Sequence, residues 1–209
     1  MANIRHCTFC LIAVFMLFSS PLSAQAADDS RSRPSGSKDR AHQEVITPDQ
    51  FLAAARNGSI QKVQVALAQG IDINVQNEIG ESALHLAKGT ALVKFLIKHG
   101  ANVNLPDKQA GMTPLFFQDV PAARLIIAAG ADVNARSHDG NTPLHWFAYS
   151  NYLEGVQYLV SAGADIHAVN KDGKTALDVA RRFGNRALVD YLRSIDVEKK
   201  SNNKGPGKH

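Results

Sequence analysis

The chain has 209 residues, 44% of them aliphatic or aromatic, enough for one domain with a sizeable core or for two small ones. Its formal charge of +4 is local rather than distributed. Arg5 supplies +1 and residues 198–209 supply +3, while residues 27–44 and 45–197 each sum to zero. A neutral body with a short basic end argues against a nucleic-acid binder, which carries its basic face within the fold.

In chain order, the first feature is a leader. Residues 9–18 (FCLIAVFMLF) are an unbroken apolar run behind Arg5 and His6. Ala24-Gln25-Ala26 follows in the small-x-small pattern of a signal-peptidase site. A spanning helix needs ~20 apolar residues, and this run is about half that. Residues 1–26 therefore read as a signal peptide. Both cysteines, Cys7 and Cys10, lie inside it, so the mature chain from about Ala27 has no disulfide and no thiolate metal site. Residues 27–44, rich in Ser, Pro, Gly and alternating charge, read as a disordered linker, and residues 198–209 as a disordered basic tail.

Between them the sequence is periodic. GIDIN (70–74), GANVN (100–104), GADVN (130–134) and GADIH (163–167) recur at spacings of 30, 30 and 33 residues. Eight or nine residues after each comes a second marker: SALH (82–85), TPLF (113–116), TPLH (142–145) and TALD (175–178). Two markers in one order at nearly constant spacing predict a repeat architecture. The Thr or Ser is placed as an N-cap, and the following Pro suits the first helical position, where no N–H is needed. A second helix follows, with apolar residues at helical spacing in Leu92, Val93, Phe95, Leu96 and Ile97, and again in Val156, Tyr158, Leu159 and Val160. Gly70, Gly100, Gly130 and Gly163 stop that helix, and a polar turn leads to the next cap. Each helix pair has an apolar side that it cannot bury alone, so neighbours must stack.

These motifs resemble the ankyrin repeat, whose unit of about 33 residues carries TPLHxA. The resemblance covers residues 47–197 and implies an all-α repeat solenoid of stacked helix-turn-helix units joined by β-turn or hairpin loops. The repeat domain is placed at 45–197, with units at about 45–76, 77–106, 107–136, 137–169 and 170–197. The outer two depart from the pattern as caps: the first has DQFLAAARNG where the marker belongs, and the last ends without another GADVN. The second and third are shortened, since LAKGTALVKFL and FFQDVPAARLI lack three to four residues relative to WFAYSNYLEGVQYL. Thr90 and Asp119 are expected to cap their second helices.

His145 recurs as His85 and is replaced by Phe116 and Asp178 in the other units, which makes it scaffold rather than chemistry. The resemblance implies that it braces neighbouring turns by side-chain hydrogen bonds. The other histidines include no i, i+4 pair, and neither a GxSxG turn nor a phosphate-cradling glycine loop is present. No catalytic residue, no metal and no cofactor are expected, and the chain is not expected to be an enzyme.

In ankyrin-like stacks the turn tips and the exposed side of the first helices form a concave face that binds other proteins. The residue after each marker is Leu86, Phe117, Trp146 or Val179, and Tyr149 and Tyr152 follow in the fourth unit. Such rings either cover the adjacent units or meet a partner, and Trp and Tyr dominate binding hot spots. The candidate contact residues are Phe117, Trp146, Tyr149 and Tyr152, with Arg136, His138, Asp139, Lys171 and Asp172 at the tips. The expectation is an exported, periplasmic or secreted monomer that binds a protein partner, and neither nucleic acid nor, after signal removal, a membrane. Two alternatives stay open: an immunity or inhibitor protein blocking a toxic enzyme, and an effector acting in a host cell.

Overall fold

A computed structural model describes residues 45–202; the expected leader (1–26), the linker (27–44) and residues 203–209 lie outside the described residues. Among the described residues five helical pairs follow one another. They are α1 (Pro48–Arg56) with α2 (Ile60–Ala68), α3 (Ala83–Leu86) with α4 (Thr90–Lys98), and the 3-10 turn Pro114–Phe117 with α5 (Val120–Ala128). The last two pairs are α6 (Pro143–Tyr149) with α7 (Leu153–Ser161) and α8 (Ala176–Arg182) with α9 (Arg186–Asn202). β-structure among the described residues is limited to an isolated antiparallel bridge, Gln76 to Ser82. The fold is the expected all-α solenoid.

Two rows of helices build it. In the first row α1 packs on α3, α3 on the 3-10 turn, that turn on α6, and α6 on α8. In the second row α4 packs on α5, α5 on α7 and α7 on α9. The marker leucines Leu84, Leu115 and Leu144 are fully buried, as are Leu96, Ile126 and Leu159 in the second row. Burying each such side chain stabilises by about 1.5–3 kcal/mol, so the core is a series of similar layers rather than one centre.

Loop polar groups join the layers. The side-chain oxygens of Asn74, Asn104 and Asn134 accept from the backbone N–H groups of Asn102, Asp132 and Asp165, each at 2.8 Å. His167 stands where the next Asn would be and instead meets the Asp196 carboxylate of α9 at 3.5 Å. At the tips Lys108 N–H donates to Ile79 O at 3.0 Å, and Lys171 N–H to Asp139 O at 2.9 Å. The first of these contacts requires Gly80: its φ is +91°, and a Cβ there would run into the Lys108 backbone nitrogen.

Two details differ from the sequence reading. Thr90 is the first residue of α4, not its cap; Gly89, at φ +85°, takes the N-cap position. Asp119 does cap α5, accepting from Ala122 N–H at 3.0 Å. The last helix continues past Val197 to Asn202, because Glu198, Lys199 and Lys200 are good helix formers and extend a helix already anchored by Leu188 and Leu192.

Candidate protein-binding surface

The second row of helices covers one side of the first row and leaves its other side open. There the rings of successive units touch. His85 and Phe117 have ring centroids 5.9 Å apart, Phe117 and Trp146 6.5 Å, Trp146 and Tyr149 5.8 Å, and Tyr149 and Phe183 4.7 Å. All these separations suit attractive ring pairs. The rings do not seal one another off: Phe117 remains 42% exposed, Tyr149 37% and Phe183 49%, while Trp146 is half-buried. The Trp146 indole N–H and the Tyr149 hydroxyl donate to nothing among the described residues. The row is therefore apolar, continuous across units and supplied with unused donors.

Local structure sets this row. Trp146 and Tyr149 lie three apart on α6, so they share a face. Phe117 ends the 3-10 turn of the third unit, and Phe183 ends α8 of the fifth. Leu86 and Val179, which occupy the same repeat position as Trp146, are half-buried.

Sequence reasoning missed Phe183. Its signal was present, since a bulky apolar residue just before Gly184, at the end of a cap unit, has no later unit to cover it. Tyr152, by contrast, does not join the row. Its ring stacks on the buried Phe147 at 5.7 Å, and its hydroxyl accepts from Val120 N–H at 3.4 Å, so it serves packing between units. It stands over Gly155, where a Cβ would strike the rings of Phe147 and Tyr152.

The five tip residues are all exposed. The Arg136 guanidinium spans to the next tip, donating to Val169 O at 2.8 Å and Gly140 O at 3.3 Å. Gln76 does the same in the second unit, donating to Gly80 O and to Pro106 O. Arg136 is thus a brace with little freedom to meet a partner. The His138 ring donates to Gln109 O at 3.2 Å over the preceding tip. Asp139 and Lys171 are joined through their backbones, and Asp172 N–H donates to the Asn170 side chain at 3.1 Å. The carboxylates of Asp139 and Asp172 and the Lys171 ammonium carry no ion pair among the described residues.

His85 and His145 are buried. The Nε2 of His145 lies 2.9 Å from Lys174 O in the next unit, so it carries the proton and donates. Its Nδ1 accepts from the Thr142 N–H at 3.2 Å and the Thr142 hydroxyl at 2.9 Å. His85 repeats this with Met112 O, Ser82 N–H and the Ser82 hydroxyl. Burial pushes the pKa of both rings down; the bond to the carbonyl pulls the other way but is the weaker influence. Both are neutral braces. Thr175 and Asp178 repeat the arrangement in the last unit: the Thr175 hydroxyl and N–H donate to the Asp178 carboxylate at 2.8 and 3.1 Å, and the hydroxyl accepts from Asp178 N–H at 3.2 Å. No cluster of His, Cys, Asp and Glu suited to a metal occurs among the described residues.

The comparisons agree with this geometry. A family model described as ankyrin repeats (3 copies) matches residues 51–118 and again 117–203. The chain is 34% identical over 104 residues to ankyrin repeat protein YahD of Escherichia coli (strain K12), covering 46% of this chain and 51% of that one. It is 33% identical over 135 residues to the B-cell lymphoma 3 protein homolog of Mus musculus, covering 61% of this chain and 30% of that one. A third relative, ankyrin repeat protein L371 of Acanthamoeba polyphaga mimivirus, is 27% identical over 107 residues, 48% of this chain and 14% of that one. The chain thus spans about half or less of the length of these curated relatives. With the stack, the capping pattern and the family match on residues 51–203, the chain belongs to the ankyrin-repeat family.

Proposed function

We propose that this chain is an exported binding module that holds a partner protein against the row Phe117, Trp146, Tyr149 and Phe183. Ankyrin repeats mediate protein–protein contact, and the row is the observation that carries the reading here. Four rings from three units form one exposed apolar strip with free donors at Trp146 and Tyr149. Exposed aromatic strips mark interaction sites, and rings held on a rigid stack lose little freedom on association. Export, with the periplasm as destination, rests on the leader pattern in residues 1–26.

The test uses the exported chain, tagged at its carboxy end and collected from the cells that make it. It captures partners beside a Trp146→Ala/Tyr149→Ala variant whose circular dichroism matches the native form. A partner lost only by the variant supports the reading, and one held equally by both sinks it. Amino-terminal sequencing of the same material checks export: a start near Ala27 is expected, and an intact leader would overturn it.

A further inference from the structure

The unit at the carboxy-terminal end of the row is the more basic part of the repeat domain. Residues 170–197 carry six basic against four acidic side chains, whereas residues 45–169 carry eight against ten. At the carboxy-terminal end of the row the Arg182 guanidinium lies 6.0 Å from the Phe183 ring centroid. Its neighbours are committed elsewhere, Arg181 to Asp178 at 3.4 Å and Arg186 to Asp190 at 4.0 Å. Among the described residues Arg182 has no carboxylate partner. At the opposite end, beside Phe117, the nearest charge along the chain is Asp119, whose carboxylate caps α5. The strip therefore ends, on its carboxy-terminal side, beside a cation with no carboxylate partner among the described residues.

Resting on the reading above, we infer that the strip takes an extended, anionic peptide segment of the partner, with apolar side chains on Trp146 and Tyr149 and a carboxylate on Arg182. An extended segment presents backbone carbonyls that no helix or sheet has used, and the Trp146 N–H and Tyr149 hydroxyl are the donors for them. A carboxylate at Arg182 gains a charge-assisted hydrogen bond beside an apolar ring, where screening is weaker than in open water. Single-stranded nucleic acid also uses aromatic rings and arginine, but it needs cations along its whole backbone track and open ring faces. Here the cation that meets the row, Arg182, lies at one end, and Tyr149 meets Phe183 edge to face at 82°.

The experiment is a selection of random-peptide phage on the exported chain, followed by calorimetry of the enriched peptides. The chain has one tryptophan, so fluorescence of Trp146 reports occupancy of the strip directly. Enriched peptides should combine apolar residues with Asp or Glu to one side, and should shift Trp146 emission. Arg182→Gln should weaken them about fivefold at low salt, with the difference shrinking as salt is added. Peptides that need Trp146 and Tyr149 but carry no carboxylate and ignore Arg182→Gln would overturn the anionic partner while leaving the binding face standing. Peptides indifferent to Trp146→Ala and Tyr149→Ala, or no enrichment at all, would overturn both. Stronger quenching of Trp146 by oligothymidylate than by any enriched peptide would replace the peptide with nucleic acid.

Discussion

The third and fourth units open alike, Thr-Pro-Leu, and part at the next residue. In the fourth, His145 completes a full helical turn pattern, accepts from Thr142 and donates to Lys174 O of the fifth unit. In the third, Phe116 is only 1% exposed and has no polar side-chain atom to offer. Thr113 Oγ1 is then buried without a hydrogen-bond partner among the described residues, and the segment is a 3-10 turn rather than an α-helix. The third unit compensates by other routes. Gln118 reaches back to Leu84 O at 3.1 Å, Asp107 accepts from Ala110 and Met112 N–H within its own tip, and Tyr152 of the fourth unit accepts from Val120. The same position thus joins layers by hydrogen bonds in one unit and by apolar packing in the other. Where the histidine is missing, Phe117 and Trp146 also span the junction from the open side.

The largest test of that contrast is Phe116→Ala. It removes a fully buried ring and should cost about 3–4 kcal/mol in urea unfolding. A loss below that of His145→Ala would mean that packing does not carry the third layer. His145→Ala should itself cost about 2 kcal/mol, since it strands a buried Thr142 hydroxyl and N–H together with the Lys174 carbonyl. A cost matching that of the same change at exposed His99 would deny the brace.

Next in size is a pH effect. Both His85 and His145 have pKa values lowered by burial, so the unfolded chain binds protons that the folded chain does not. Stability is then fully present above the unfolded value of about 6.5 and falls as pH drops below it, by at most about 1.4 kcal/mol per pH unit for each ring. Thermal unfolding between pH 8 and pH 5 should show the fall, flattened in a His85→Gln/His145→Gln variant. An unchanged slope in that variant would assign the effect to other groups. The smallest and sharpest comparison is Thr113→Val against Thr142→Val. The first removes an unpaired buried hydroxyl and should stabilise by about 1 kcal/mol; the second breaks a bond to His145 and should destabilise by about as much. Equal signs would erase the distinction between the two units.

The Thr caps, the Pro that follows them and the glycines that stop the second helices act through backbone geometry within a few residues, so they were legible. The recurrence of His85 as His145 was legible as scaffold for the same reason. The bracing contacts of Arg136 and Tyr152 were not legible, because their partners, Val169 and Val120, lie 33 and 32 residues away in sequence. The position just before Gly184 marks Phe183 as uncovered, but its contact with Tyr149 was not legible, because the two rings belong to different units.

The sequence by itself determined the unit, its two helices and the need to stack, because caps, helix stops and an apolar side repeat within every copy. Only the tertiary structure decided which rings join into one exposed strip, which tip side chains are consumed as braces, and that the Arg182 charge lies beside the last ring of the strip. Those outcomes depend on how closely one layer settles on the next, and that spacing is set by groups roughly thirty residues apart meeting across the stack.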